Sequence, residues 1–339
     1  MTERAVTILD VAERAGVSKT TASDALSGVG RMSDATRARI VEVASGLGYI
    51  PNSAARHLRS GSVGAIGLYI PARVMSMSFY MEFAFGAAEQ AQTSDLDLTL
   101  LVATSRSVQV RTRRVDGLIV VDPLPEDPAV ARLFQSGVPA VAVGRYEGTA
   151  AVASAVLEVD HTAMAWHLLD HVASAGSRQP GLIAPDTDFD SSWARQIKTA
   201  YRDWCLARGI QPRIREVTVD IDPVQLDTAV ESLVEDGVDG LVCAPDGSAL
   251  RALTTLQSLG LTVGADFPLA SCVAGRGTEL SVPAITAIEL HPHDYGAAAA
   301  RLLTDMLTGE VTPPTHRSHT AVLVPRASTG GRVGKFERR

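Results

Sequence analysis

Two short amphipathic helices joined by a tight turn are predicted near the start of the chain, and this pair constrains the fold more than any other feature. Thr7 precedes the first helix and Asp10 follows three residues later, a spacing typical of a capped helix start. Gly16 stands where the first helix must end, and Ser18 can cap the second helix at once. Residues 6–28 therefore predict a helix-turn-helix, a structure that proteins use to read DNA.

The side chains of the two helices divide into an inward and an outward set. The apolar positions expected to pack inward are Leu9, Ala12, Ala15, Val17, Ala22, Ala25 and Leu26. The first turns of a recognition helix meet base edges and phosphates, so the outward set predicts the DNA contacts. These candidate contacts are Thr7, Ser18, Lys19, Thr20, Thr21, Ser23 and Asp24.

A third helix and a short polar run follow. Ser33 opens the helix, which carries Ile40 and Ala44 on one face. The run SAARHLRS, residues 53–60, is too short to be a stable helix alone in water. We therefore expect it to become helical only when a partner holds it.

The segments VTILDVAERAGVSKTT (6–21) and GYIPNSAARHLR (48–59) resemble the start of the lactose-repressor (LacI/GalR) family of bacterial transcription regulators. The resemblance implies that the short run is a hinge helix, which folds in the minor groove beside its symmetry mate and wedges Leu58 between base pairs. The implied DNA contacts of this run are Asn52, Ala55, Arg56, Leu58 and Arg59. A Leu58 that packs on the neighbouring domain is the alternative.

The recognition helix departs from the family at one position. Where family members usually carry an arginine that can read guanine, this chain has Asp24. A carboxylate repels phosphate but can accept a hydrogen bond from the cytosine amino group, so the operator sequence does not follow from the resemblance.

Residues 62–325 read as buried strands that alternate with amphipathic helices. Candidate strands begin at Val63, Leu96, Asp116, Val138, Pro180, Asp239, Phe267 and Ile285. Continuous β-branched runs of this kind are typical of parallel strands covered on both faces, which predicts an α/β fold with two doubly wound parallel-sheet subdomains. This pattern resembles the periplasmic-binding-protein-like effector domain of the same family. We expect the chain to cross between the subdomains near residues 153–160 and 283–291.

Ligands of open α/β sheets bind beyond the carboxyl ends of the strands, so the cleft between the subdomains is the expected effector site. The candidate effector-binding residues are Phe79, Asp122, Arg145, Trp193, Arg195 and Asp246. Polar positions that sugar-binding relatives use read Ile197, Pro245 and Ser271-Cys272-Val273 here, which argues against an ordinary sugar. Residues 104–115 are also too few for the full helix that the family places there.

Composition limits the remaining function classes. Residues 1–60 carry eight Lys or Arg against six Asp or Glu, whereas the whole chain has a net charge of −7. The three cysteines are widely spaced, which predicts reduced, buried thiols and no metal site. The sequence shows no nucleophile elbow, phosphate loop or dinucleotide fingerprint, so we expect no cofactor and no enzymatic activity. It also lacks a signal peptide and a membrane span, which predicts a cytoplasmic protein.

These observations predict four segments: a helix-turn-helix domain (1–51), a hinge helix (52–61), an effector-binding and dimerisation domain (62–325) and a disordered tail (326–339). The favoured hypothesis is a homodimeric repressor that binds a pseudo-palindromic operator under the control of a small molecule. The alternative is a constitutive or architectural DNA-binding regulator whose pocket no longer binds a ligand.

Overall fold

The computed structural model describes residues 6–26, 30–49, 61–75, 77–101, 114–149 and 152–330. The chain divides into two compact units, the head (Met1–Val63) and the body (Gly64–Arg339). Most of the expected hinge, from residue 52 to 60, and most of the shortened segment, from 104 to 113, lie outside the described residues.

The head contains three helices, α1 (Ile8–Ala15), α2 (Lys19–Leu26) and α3 (Asp34–Gly46). Its core consists of Val11, Ala12, Ala15, Ala22, Ala25, Ile40 and Ala44. The prediction that Leu9 packs inward is wrong, because its side chain is 57% exposed while Val11 is fully buried. The helical period explains this result: positions 8, 11, 12 and 15 share one face of α1, and position 9 lies off it.

The first sheet of the body defines the N-terminal subdomain. Its strands are β1 (Ala65–Tyr69), β2 (Asp97–Leu101), β3 (Gly117–Val121), β4 (Ala140–Val143), β5 (Ala155–Glu158) and β11 (Thr315–Ser318). They are all parallel and lie in the order β11-β5-β4-β3-β1-β2. The central strands are buried on both faces, as their apolar runs predict.

The second sheet defines the C-terminal subdomain. Its strands are β6 (Pro180–Pro185), β7 (Ile214–Val217), β8 (Gly240–Cys243), β9 (Leu269–Ser271), β10 (Thr286–Glu289) and β12 (Val322–Val324). They lie in the order β12-β10-β9-β8-β6-β7, and only the edge strand β12 is antiparallel to its neighbour. Two doubly wound subdomains are thus confirmed.

Helices cover both sheets. They are α4 (Ser78–Gln92), α5 (Pro128–Phe134), α6 (His161–Ser174), α7 (Ser192–Ala207), α8 (Pro223–Glu235), α9 (Ser248–Ser258), α10 (Arg276–Leu280) and α11 (Pro292–Thr308). The closest packing joins α4 to α11, where a Cβ on Gly86 would lie 1.9 Å from the carbonyl oxygen of His293. Glycine is therefore needed at this crossing. No helix in the described part of the chain is long and apolar enough to cross a membrane.

The described chain passes between the subdomains three times. It leaves the N-terminal sheet after β5, returns after β10, and runs from β11 into β12 of the other sheet. The prediction placed a crossing near residues 153–160, and the chain leaves the N-terminal sheet at the end of that segment, after β5. The third crossing was not predicted, because β11 (THRS) is largely exposed and lacks an apolar run, and β12 (VLV) is only three residues long.

The predicted disordered tail, residues 326–339, begins too early, because residues 326–330 are folded. Ser328 is fully buried, its hydroxyl donates a 2.6 Å hydrogen bond to the carbonyl of Leu269, and it accepts one of 2.8 Å from the N–H of Thr286. Arg326 donates to the carbonyl of Ile285 at 2.9 Å. Residues 326–330 therefore belong to the folded body, because these hydrogen bonds attach them to the C-terminal sheet.

Candidate DNA-binding head and effector cleft

Polar side chains fix the beginning of each of the first two helices. The Asp10 carboxylate accepts hydrogen bonds of 2.7 Å from both the N–H and the hydroxyl of Thr7. The Ser18 hydroxyl accepts from the N–H of Thr21 at 3.1 Å. Gly16 ends α1 with a left-handed φ of 65°. The predicted caps and turn are confirmed, and they hold α1 and α2 at the fixed angle that a helix-turn-helix needs.

Two arginines of α3 bind backbone carbonyls at the ends of the preceding helices. Arg39 donates to the carbonyl of Ala15 at 2.9 Å. Arg37 donates to the carbonyls of Ala25 at 3.2 Å and Gly30 at 3.4 Å. Cationic donors at helix carboxyl ends are stabilising, so these two charges serve the structure of the head. From the sequence alone, these two arginines contribute only basic charge to the head.

The first turn of α2 presents the predicted readers to solvent. Ser18, Lys19 and Thr20 are exposed, whereas Thr21 and Ser23 are half-buried. Lys19 is the first residue of the helix, where its ammonium can reach phosphate or guanine. The exposed positions suitable for base contact are thus concentrated at the amino end of α2.

Asp24 is less free than the sequence suggests. Its side chain is half-buried, and a Cβ built on Gly30 would lie 3.1 Å from the Asp24 Cβ and 3.3 Å from Oδ2. The carboxylate therefore folds back against the turn that leads to α3. The other predicted DNA contacts, Asn52, Ala55, Arg56, Leu58 and Arg59, lie outside the described residues.

The cleft of the body lies beyond the carboxyl ends of the parallel strands and encloses about 660 Å³, including the part open to solvent. Four of the six predicted effector residues line it: Phe79, Asp122, Trp193 and Asp246. The further lining residues are Met77, Tyr80, Val121, Val143, Gly144, His161, Ile197, Val219, Cys272, Val273, Leu290 and Tyr295. The lining is therefore mostly apolar and aromatic.

Asp122 follows β3 directly and lies deep in this cleft. Its backbone has a left-handed φ of 44°, which is unusual for a residue with a side chain and is found at functional sites. The Tyr80 hydroxyl donates to Oδ2 at 2.6 Å. Burial raises the pKa of Asp122 to about 6, and hydrogen bonds from Tyr80 and Trp193 partly oppose this rise.

Asp246 and His161 are two further titratable groups of the cleft whose pKa burial shifts toward the neutral form. Burial raises the pKa of Asp246, while hydrogen bonds from the backbone of Phe79 and from the Ser78 hydroxyl oppose the rise. Burial also lowers the pKa of His161 to about 4, against the opposing charges of Glu158 and Asp160. The imidazole is therefore neutral at pH 7.

Arg145 and Arg195, the other two predicted effector residues, do not line the cleft because each is paired elsewhere. Arg145 and His316 both contact Oε1 of the buried Glu158, at 2.5 and 2.7 Å. Arg195 pairs with Asp190 at 2.5 Å and with Glu147 of the other subdomain at 2.7 Å. Each guanidinium thus has a carboxylate partner outside the cleft lining.

Two aromatic residues of the cleft, Tyr80 and Tyr295, were not predicted from the sequence. Tyr80 follows Phe79 on α4, and the two rings meet edge to face at 5.1 Å. Tyr295 comes from α11, which returns from the other subdomain, and its ring packs on Phe83 at 5.6 Å. A search limited to strand ends could not find Tyr295, but the i, i+1 aromatic pair at 79–80 was a usable signal.

Family models match most of the chain. The model of bacterial regulatory proteins of the lacI family matches residues 7–52, and that of the periplasmic binding protein-like domain matches residues 169–329. The HTH-type transcriptional regulator CelR of Thermobifida fusca is 27% identical over 327 residues, which covers 92% of this chain and 94% of that protein. Catabolite control protein A of Priestia megaterium is 27% identical over 323 residues, covering 90% and 93%.

Solved structures share the fold. A lac repressor dimer bound to operator and the anti-inducer ONPF matches with a TM-score of 0.78 and 22% identity, covering 96% of this chain and 99% of that one. A complex of the regulator CelR with cellobiose matches with a TM-score of 0.68 and 24% identity, covering 95% and 99%. The likeness thus spans both the head and the body.

Proposed function

Because the chain belongs to the LacI family of DNA-binding bacterial regulators, we propose that it represses transcription as a homodimer whose operator affinity is controlled by a small molecule in the cleft. The observation that carries this proposal is the capped helix-turn-helix with Lys19 and Thr20 exposed at the amino end of α2. That end of a recognition helix is the part that reaches base edges. In this assignment residues 1–51 bind DNA and the body binds the effector, and neither has a catalytic role. The protein's proposed location is the cytoplasm, where the bacterial chromosome lies.

The hinge, residues 52–61, supplies the second DNA element of the proposal. The run SAARHLRS, residues 53–60, is too short to form a stable helix alone. It therefore becomes helical only in the minor groove, next to the same run of the partner subunit. Leu58 then enters between base pairs, and Asn52, Arg56 and Arg59 contact the backbone or the groove floor. Order in this segment is the step that connects the body to the DNA.

An exposed apolar face on the body is the proposed dimer contact. Met81 and Phe85 lie one turn apart on α4 and are 49% and 58% exposed, while Leu280 and Val282 are 79% and 84% exposed. The starts of α4 and α10 lie close together, because a Cβ on Gly275 would lie 3.8 Å from the Ser78 hydroxyl oxygen. Apolar side chains that cluster on a surface mark a protein contact.

The effector proposed for this cleft is not an ordinary sugar. Each sugar hydroxyl that is buried without a partner costs on the order of 1 to 3 kcal/mol, and eight of the sixteen described lining residues have apolar side chains. Ile197 and Val273, which stand where sugar-binding relatives carry polar groups, both line the cleft. CelR was solved with cellobiose, so a sugar is the ligand against which this proposal has to be tested.

Selection of genomic fragments by the purified full-length protein tests the proposed function. The account expects a recovered site with two similar half-sites, and neighbouring genes whose products point to the effector. The alternative hypothesis, a regulator whose pocket no longer binds a ligand, predicts that the same DNA sites are selected. Under this hypothesis no metabolite changes the affinity for the operator. Recovery of fragments without a shared sequence would contradict both.

A further inference from the structure

The charge of the cleft lining has a single sign. The lining contains the carboxylates Asp122 and Asp246, and the described lining residues include neither Lys nor Arg. His161 is the remaining basic side chain there, and burial keeps it neutral by lowering its pKa to about 4. A ligand that enters the cleft therefore meets carboxylates but no cation of the protein.

The two carboxylates contact the same turn of α4. The Tyr80 hydroxyl lies 2.6 Å from Oδ2 of Asp122, and the Ser78 hydroxyl lies 3.4 Å from Oδ2 of Asp246. Asp122 belongs to the N-terminal subdomain and Asp246 to the C-terminal one. Carboxylates from the two subdomains thus meet at the start of a single helix, α4.

Aromatic rings surround these carboxylates. Phe79 meets Tyr80 edge to face at 5.1 Å, and Trp193 lies on the opposite subdomain with its ring 5.8 Å from that of Phe189. The face of an aromatic ring attracts a cation, and the attraction grows when water is excluded. Carboxylates beside such rings form a site suited to a positive charge.

Two arginines outside the cleft lining are each paired with carboxylates. Arg73 of the N-terminal subdomain lies 3.5 Å from Asp220 and 3.9 Å from Asp186 and Asp188, all in the C-terminal subdomain. Arg195 pairs with Asp190 and Glu147. Carboxylates outnumber the arginines around the cleft, and a field of one sign raises the local concentration of the opposite ion.

We propose, building on the effector role of the cleft, that the effector is an organic cation: a protonated amine carried on an apolar or aromatic body. The ammonium group is bound by Asp122 and Asp246, and the apolar body packs against Phe79 and Trp193. A cation offsets the desolvation of the two buried carboxylates with an opposite charge, whereas a neutral sugar offers them only uncharged hydrogen-bond donors, which are weaker. Because the ligand contacts a carboxylate of each subdomain, its binding also favours a closed arrangement of the two subdomains.

Calorimetric titration of the full-length protein with matched aromatic ligands tests this inference. The probes are 2-phenylethylamine, 2-phenylethanol and phenylacetate, and tryptamine, tryptophol and indole-3-acetate, with cellobiose as the sugar. Each series keeps the ring and changes the charge. We expect the amines to bind at least about tenfold more tightly than the alcohols, and the acids to bind more weakly still.

Two variants and a control assign the effect to the cleft. Asp122→Asn and Asp246→Asn should each lower amine affinity by roughly ten- to hundredfold and leave alcohol affinity nearly unchanged. Either variant suffices if the other fails to fold. Asp203→Asn removes an exposed carboxylate on α7 and should bind the amines like the parent protein.

The cation proposal is overturned if an alcohol, an acid or cellobiose binds as tightly as the amines. It is also overturned if no amine binds at about 10 mM, a concentration that detects even very weak sites, or if both Asn variants keep full amine affinity. Operator binding by the same preparation separates the two proposals. Protein that binds operator but not amines contradicts only the cation, whereas protein that binds no operator contradicts the proposed function.

Discussion

The Tyr80 hydroxyl donates a 2.6 Å hydrogen bond to the carboxylate of Asp122, a residue that leaves β3 with a left-handed backbone. Both residues are buried in the cleft. Burial raises the pKa of Asp122 to about 6 although Tyr80 and Trp193 stabilise its charge through hydrogen bonds. The carboxylate is therefore ionised at neutral pH at a cost to the folded state, a cost that a bound cation would lower.

Asp122→Asn should change the pH dependence of stability. The folded protein holds the Asp122 proton more tightly than the unfolded chain, so this group lowers the free energy of unfolding as the pH rises from about 4 through 6. The loss is up to about 3 kcal/mol, and the Asn variant should not show it. Urea unfolding at both ends of this range measures the difference. Parallel pH profiles for the variant and the parent protein would refute the assignment, and Asp203→Asn should follow the parent.

Gly86→Ala should destabilise the body. The added Cβ would lie 1.9 Å from the carbonyl oxygen of His293, so α4 and α11 must move apart. We expect a loss of about 3 kcal/mol or more in the free energy of unfolding. Gly46→Ala in α3 is the control, since its Cβ meets nothing within 4 Å and alanine favours the helix. Similar effects of both changes on denaturant unfolding would contradict the close packing of α4 and α11.

Arg39→Met should loosen the head. It removes the hydrogen bond to the carbonyl of Ala15 at the end of α1, a charged contact worth about 1 to 2 kcal/mol. Hydrogen exchange of the α1 amides measures the opening of this helix and should become faster. Arg14→Met removes an exposed charge from the last turn of α1 and should change the exchange much less. Equal exchange in the two variants would show that Arg39 does not brace the helix.

Asp24→Arg should change the preferred operator. The variant replaces a carboxylate with a donor that can bind guanine or phosphate, so affinity should rise and the slope of log affinity against log salt should steepen by about one contact. Asp34→Arg makes the same change of charge at the start of α3 and should leave the selected half-site unchanged. Selection from random duplexes is the measurement, and identical selected sites for Asp24→Arg and the parent protein would rule out a role in specificity.

Apolar runs predict the buried strands well because strands covered on both faces leave a continuous signal in the sequence. The run at Pro180–Pro185 coincides with β6, and the central strands β3, β4 and β8 follow the same pattern. The strands β7 and β11 are partly exposed and contain charged or polar side chains, so their sequences resemble loops. Their positions depend on pairing partners far away in the chain, which a local pattern does not contain.

In the cleft, too, positions that follow from the local sequence were predicted, whereas those that depend on distant partners were not. Asp122 and Asp246 were predicted from their positions after β3 and β8, since the carboxyl ends of parallel strands meet at one edge. Arg145 and Arg195 were predicted by the same argument, but their long side chains turn to Glu158, Asp190 and Glu147 instead. Ion pairs between residues distant in sequence decide where such side chains end.

The dimer is the central claim of this account, and binding to one against two half-sites tests it most directly. The full-length protein is titrated on its selected operator and on the same duplex with one half-site scrambled. Phe85→Glu places a charge on the proposed dimer face, and Leu206→Glu places one on an equally apolar, 78% exposed position of α7. The mass of each protein in solution is measured alongside.

The account predicts that the parent protein and Leu206→Glu are dimers that bind the full operator about 10² to 10⁴ times more tightly than the scrambled one, because the second head binds intramolecularly. Phe85→Glu should be monomeric and lose that preference. A monomeric parent protein, or equal affinity for the full and the scrambled operator, would contradict the account.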